Sequence, residues 1–251
     1  MGLKMDTREE NLINAAKLGD LDALVRAYED GCKWDWRICR EAAENGHLHC
    51  LQYLHEHGCE WNTCVCSRAA QNGHLNCLRY LHKEGCEWNI YTCIRAAQNG
   101  QLECLQYAHT EGCPWNSTVC ALAAKNGHLE CLQYLHENGC ECNERTCEAA
   151  AVNGHLDILK YLHKNGCKWD AQTCEAAAAN GHLNCLIYVR SRDCPWDKET
   201  YKGAIKNGHL NCLIYAHKAG CPTGNSFHRK VSKPGYMDCL QYVMDNLQSI
   251  S

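Results

Sequence analysis

The sequence predicts an all-α solenoid of stacked helix-turn-helix repeats. Three observations lead to that fold class. Gly19, Gly46, Gly73, Gly100, Gly127, Gly154, Gly181, Gly208 and Gly235 recur at a constant spacing of 27 residues. Around each glycine two short segments return, one alanine-rich and one with apolar residues near helical period. Asn or Asp stands in phase before the first segment, at Asp35, Asn62, Asn89, Asn116, Asn143, Asp170 and Asp197. A period of this size marks an array whose units bury their apolar faces against one another.

Each element of the unit has a local reason. The first segment, represented by Cys66 to Gln71, is expected to form a helix of about two turns at 3.6 residues per turn. The Asn or Asp before it accepts otherwise unpaired N–H groups of the first turn. Asn-Gly, as at Asn72-Gly73, ends the helix because glycine accommodates left-handed backbone. A second helix follows, as in Leu75 to Lys83, where Leu75, Leu78, Tyr80, Leu81 and His82 give a broad apolar face. Gly85 closes it, and Cys86-Glu87-Trp88 leads to the next cap. Pro114 and Pro195 fall in this connection, where a missing N–H does no harm. Trp34, Trp61, Trp88, Trp115, Trp169 and Trp196 share one phase and are expected to wedge between units, while the alanine pairs let helices approach closely.

The repeat argues for one elongated domain over 1–251, with an N-terminal capping unit at 1–34, central repeats at 35–221 and a C-terminal capping unit at 222–251. Terminal units of solenoids present a polar outer face. Arg8-Glu9-Glu10 fits that need at one end. At the other, Pro234-Gly235-Tyr236-Met237 replaces Asn-Gly-His-Leu.

Composition excludes several classes. Net charge is -4 and the basic residues are scattered, so no nucleic-acid partner is expected. No run of about 20 apolar residues offers a membrane span. Met1-Gly2-Leu3-Lys4 leads into charged residues rather than an export signal, and Asp6 stands where myristoylation requires Ser or Thr. Cysteine is abundant, 23 in 251 residues. The odd count, the length and the periodic placement oppose a disulfide scaffold. Free thiols in a reducing compartment, the cytoplasm, are expected, in a chain that is monomeric.

The stretch Ala-Ala-x-Asn-Gly-His-Leu-x-Cys-Leu-x-Tyr-Leu-His-x-x-Gly-Cys resembles the helical part of an ankyrin repeat, Ala-Ala-x-x-Gly-His-Leu-Glu-Val-Val-x-Leu-Leu-Leu-x-x-Gly-Ala. The match recurs at Gly46, Gly73, Gly127, Gly154, Gly181 and Gly208, and in weaker form at Gly19, Gly100 and Gly235. Ankyrin repeats are about 33 residues long. The helices align, so the missing residues come from the loop between units. The Cys-x-Trp-Asn/Asp signature is similar to short ankyrin-like repeats of giant DNA viruses and some protists, which would place the chain in a host cytoplasm. The resemblance implies a protein-interaction scaffold whose first helices line a concave face.

Cysteine and histidine admit two readings. In the alignment Cys66, Cys77 and Cys86 fall where ankyrin repeats place Leu, Val and Ala, and cysteine behaves as a small hydrophobe. Alternatively, the spacing His-x3-Cys-x6-Cys-x10-Cys gives one imidazole and three thiolates, a set that suits tetrahedral zinc. It is complete at His55/Cys59/Cys66/Cys77, His82/Cys86/Cys93/Cys104, His109/Cys113/Cys120/Cys131 and His163/Cys167/Cys174/Cys185. Arg190 and Tyr201 remove two candidate ligands of one junction together, and His228 substitutes beside His217, Cys221 and Cys239. Tyr28 and Ile158 break other sets singly. The histidine of Asn-Gly-His (His47, His74, His128, His155, His182, His209) is expected to start the second helix and bond a neighbouring loop, since Gln101 keeps the phase without titrating.

No catalytic constellation is unique to one place, as a catalytic group would be, so neither an enzyme nor a cofactor is expected. A partner protein would be read by positions that vary between copies while the scaffold is fixed. The residue after the first-helix cysteine varies in this way: Arg40, Ser67, Ile94, Ala121, Glu148, Glu175 and Lys202. So does the residue before Asn-Gly: Glu44, Gln71, Gln98, Lys125 and Val152.

Overall fold

The computed structural model describes residues 7–223 and 234–247, which hold seventeen helices and no strand. Helix pairs follow one another in chain order. They are α1 (Thr7–Leu18) and α2 (Leu21–Glu29), α3 (Trp36–Glu44) and α4 (Leu48–Glu56), and α5 (Thr63–Gln71) and α6 (Leu75–Lys83). Next come α7 (Ile90–Gln98) and α8 (Leu102–Thr110), α9 (Ser117–Lys125) and α10 (Leu129–Glu137), and α11 (Glu144–Val152) and α12 (Leu156–Lys164). The last are α13 (Ala171–Ala179) and α14 (Leu183–Arg190), α15 (Lys198–Asn207) and α16 (Leu210–Lys218), and α17 (Tyr236–Leu247). The expected second helix coincides with α6. The expected first helix is longer than Cys66 to Gln71, because α5 begins directly after its cap at Asn62.

The chain divides into two compact units, residues 1–119 and 120–251, with the division inside α9. In the first unit α1, α3, α5 and α7 form one layer and α2, α4, α6 and α8 a second. In the other unit α11, α13 and α15 form one layer, and α12, α14, α16 and α17 the second. Within both units the first helices pack more closely than the second. The reason lies in side-chain size: Ala42, Ala43, Ala69, Ala70, Ala96 and Ala97 of one unit, and Ala150, Ala151, Ala177 and Ala178 of the other, are fully buried. The second helices contribute bulk, with Leu51, Leu54, Leu78, Leu81, Leu159 and Leu162 inaccessible to solvent. Burying each such leucine contributes about 1.5–3 kcal/mol.

All seven expected caps are present. The side chains of Asp35, Asn62, Asn89, Asn116, Asn143, Asp170 and Asp197 each accept the N–H two residues ahead, at 2.7 to 3.2 Å. Both helices of a unit end in a glycine of positive φ, such as Gly46 and Gly58 in the same repeat. Gly46 N–H donates to the Ala43 carbonyl and His47 N–H to that of Ala42, closing the paired bonds of a Schellman turn. Gly58 and Cys59 repeat that pattern on His55 and Leu54. At Asp193, in phase with the second glycine, the same turn carries a side chain at φ 60°.

Candidate functional site

The histidines that open the second helices cover the repeat before them. His47 Nε2–H donates to the Lys17 carbonyl at 3.0 Å, His155 to Lys125 at 3.0 Å and His182 to Val152 at 3.0 Å. The expected loop bond is therefore present, and the ring also lies over the previous glycine. A β-carbon on Gly19, Gly46 or Gly181 would come within 2.6 Å of the ring of His47, His74 or His209. Gln101 takes the same place over Gly73. The neighbouring asparagine adds a second tie, Asn72 Nδ2 donating to the Glu44 carbonyl at 2.8 Å.

The helix-end histidines stack instead of binding metal. His55, His82 and His109 lie on Trp61, Trp88 and Trp115 with ring centres 3.8, 3.8 and 3.6 Å apart. Nδ1 of His55 and His82 shares a hydrogen bond with the hydroxyl of Tyr80 and Tyr107 in the next repeat, at 3.0 and 3.1 Å. Burial lowers the His109 imidazolium below its ordinary range. Where histidine is replaced, stacking survives: Tyr28 lies parallel to Trp34, and the Arg190 guanidinium sits 4.1 Å from the Trp196 ring centre. A ligand role would not tolerate those replacements; a flat partner for an indole does. The tryptophans bridge successive second helices, but they are half-buried rather than enclosed wedges.

The thiols also pair differently from the zinc sets. Cysteines twenty residues apart meet within one repeat: Cys39 with Cys59 and Cys120 with Cys140 at 2.7 Å, and likewise Cys66 with Cys86, Cys93 with Cys113 and Cys174 with Cys194. The second member of the pair donates to the carbonyl of its own cap residue, as Cys59 does to Asp35 at 3.2 Å and Cys113 to Asn89 at 3.2 Å. Cys59 and Cys66, joined in one expected ligand set, thus belong to separate pairs. Among the described residues no three or more His, Cys, Asp or Glu side chains are disposed to hold a metal ion. His228 lies outside the described residues. Cys32, Cys142 and Cys167 are half-buried, Cys64 is exposed, and the other cysteines are buried, as small core residues would be. This twenty-residue pairing was open to sequence reading, since both cysteines keep phase, but spacing alone did not choose between partners.

The variable positions lie on the first helices. In one unit Arg40 and Glu44 of α3, Ser67 and Gln71 of α5, and Ile94 and Gln98 of α7 share a layer. Ala121 and Lys125 are on α9. In the other unit Glu148 and Val152 of α11, Glu175 of α13 and Lys202 of α15 share a layer. All are half-buried or exposed except Ser67, which is 9% exposed and donates to the Cys64 carbonyl. Neighbours interlock: Arg68 reaches Glu44 at 3.6 Å, and Lys202 pairs with Glu199 at 3.0 Å. Burial, with Asp197, Glu199 and Glu148 nearby, raises the Glu175 carboxyl above its usual range.

A right-angled strandless repeat of capped helix pairs, tied by a histidine over a glycine, defines a class of helical-repeat scaffold. The family model for ankyrin repeats in three copies matches residues 12–92 and again 93–173, each window spanning three periods. The chain belongs to the ankyrin-repeat family. A similar solved structure is the crystal structure of the human ASB11 ankyrin repeat domain, with 20% identity and a TM-score of 0.55. That match covers 62% of this chain and 84% of the other. At that identity the likeness concerns the fold alone. No curated relative matches the chain by sequence.

Proposed function

We propose that the chain is a non-catalytic scaffold that binds a partner protein through its first-helix layer. One observation carries this reading. The scaffold positions repeat from copy to copy and are buried, whereas Arg40, Ile94, Ala121, Glu148, Glu175 and Lys202 occupy one phase on one layer with different chemistry and remain reachable. Surfaces of this kind in repeat arrays bind partners by variation on a constant frame. The chemistry of the layer differs between units: Arg40, Arg68 and Arg95 in one, and Glu148, Glu175 and Glu199 in the other. Capping roles for 1–34 and 222–251 and residence in the cytoplasm, of a host cell if the chain is viral, complete the reading. No helix among the described residues is long and apolar enough to cross a membrane.

The test is affinity capture with the full chain and two variants, followed by thermal melting of each. One variant combines Arg40→Ala, Ile94→Ala, Glu148→Ala and Glu175→Ala; the control combines Gln52→Ala, Gln106→Ala and Lys160→Ala on second helices. The proposal requires the first variant to lose captured partners while melting like the parent, and the control to keep them. Retention by the first and loss by the control would place binding on the other layer.

A further inference from the structure

One junction departs from all its copies, and it does so twice. Trp34, Trp61, Trp88, Trp115, Trp169 and Trp196 stand before the caps, but in the same phase the sixth repeat has Cys142. Cys142 is half-buried, so it meets solvent. The second departure is its partner. Cys59, Cys86, Cys113, Cys140, Cys194 and Cys221 are no more than 4% exposed. Cys59, Cys86, Cys113, Cys194 and Cys221 also donate to the carbonyl of their own cap residue. Cys167, in the same phase, is half-buried and bonded to the Cys142 thiol. Cys147, whose in-phase partner would be Cys167, donates to the Lys168 carbonyl at 3.5 Å. The small residue at 142 has thus drawn the next loop cysteine out of its regular pairing.

We propose that Cys142 and Cys167 form a peroxide-reactive thiol pair, a site of reversible oxidation that closes to an intramolecular disulfide. Reactive cysteines combine thiolate character, access and a resolving thiol nearby. Thiol hydrogen bonds from Cys120 and Cys167 hold Cys142 well below the ordinary thiol range, and His136 adds its positive charge. Burial and the same hydrogen bond with Cys142 push Cys167 up, so the pair divides into a nucleophile and a proton-holding partner. In the first step the Cys142 thiolate attacks one oxygen of hydrogen peroxide. The O–O bond breaks, hydroxide leaves, and Cys142 becomes a sulfenic acid. Cys167 then attacks that sulfur, expelling hydroxide as the S–S bond forms. Its proton and the proton first released from Cys142 convert the two hydroxides to water. Two thiols and one peroxide give one disulfide and two waters. A dithiol reductant reverses the reaction by exchange. Cys39–Cys59 and Cys120–Cys140 lie as close to one another, but all four are buried.

The experiment uses the reduced full chain, treated with hydrogen peroxide below one equivalent and mapped by non-reducing peptide mass spectrometry. The first linkage expected is Cys142–Cys167, removed by dithiothreitol. Iodoacetamide at mildly acidic pH is expected to label Cys142 at least about ten-fold faster than the more exposed Cys64, as a stabilised thiolate would react. In Cys167→Ser, dimedone should trap a sulfenic acid at Cys142. In Cys142→Trp, which restores the residue of the other repeats, the fast reaction should vanish; Cys142→Ser provides the same readout should the tryptophan variant fail to fold. Linkage of Cys120 to Cys140 or of Cys39 to Cys59 before Cys142 to Cys167, or faster labelling of Cys64, would overturn the proposal.

Discussion

The ring of His182 lies so close over Gly154 that a β-carbon there would stand 2.5 Å from Nδ1. Gly166, twelve residues on, also has positive φ, at 76°, but nothing lies within 4 Å of its missing β-carbon. The two glycines of one repeat thus answer different demands. Gly154→Ala meets both strained backbone and an occupied space, and Gly166→Ala meets strain alone. Denaturant unfolding should show Gly166→Ala destabilised by about 1 kcal/mol and Gly154→Ala by about 2–4 kcal/mol. Equal losses would show that the histidine ring moves aside freely.

Asp193 carries a side chain at φ 60°, where the other second-helix turns have glycine. Relief of that strain outweighs the extra freedom glycine brings to the unfolded chain. Asp193→Gly should raise stability by about 0.5–1 kcal/mol, read as a higher urea midpoint at unchanged slope. A lower midpoint would mean that the aspartate holds its turn by a contact worth more than the strain.

The stacked pair His82 and Trp88 should tolerate a planar cation, as Arg190 over Trp196 shows. His82→Arg should cost less than about 1 kcal/mol, and His82→Ala should cost about 1–2 kcal/mol through loss of the stacked ring and of the bond to Tyr107. If arginine proved as damaging as alanine, the imidazole itself rather than its flat face would be required.

The second-helix cysteines titrate with folding. Burial pushes Cys77, Cys131, Cys185 and Cys212 up to about 11, and Cys104 to about 12, from 9.0. A thiol whose folded value is raised stabilises fully below its unfolded value, and that stability is lost as pH rises through the folded value. The chain should therefore weaken progressively between pH 9 and about 11–12. Replacing Cys77 and Cys104 by Val, in the phase where Ile158 already stands, should shrink the fall in urea midpoint between about pH 8 and pH 10.5. An unchanged fall would assign it to other groups.

Much of the fold was legible because its determinants are local. The caps at Asn62 and Asp170, the glycine turns and the leucine face of α6 are each set within a few residues, and periodicity repeats the signal in every copy. The pairing of thiols was not legible. Cys59 has Cys39 behind it and Cys66 ahead of it at plausible spacing, and only the path of the loop brings it to the Asp35 carbonyl and the Cys39 thiol. The stacking of His55 on Trp61 likewise depends on how a six-residue connection folds back on its helix. Zinc spacing could be written for these residues because the repeat places any two phases at constant separation, whether or not they meet. The variable first-helix residues were found by comparing copies, but burial of Ser67 required the packing of the layer.

The histidine contact also gives the array a direction. His47, His155 and His182 each reach back to the repeat before, and the glycine turn of every such repeat is roofed by its successor. Shortening is therefore unequal from the two sides. Cutting after a repeat strips the roof from the one that remains and opens its turn to water. Cutting before a repeat merely leaves a histidine to find water as its acceptor. Truncations should thus be polar in their effect, with losses at the successor side outweighing matched losses at the other.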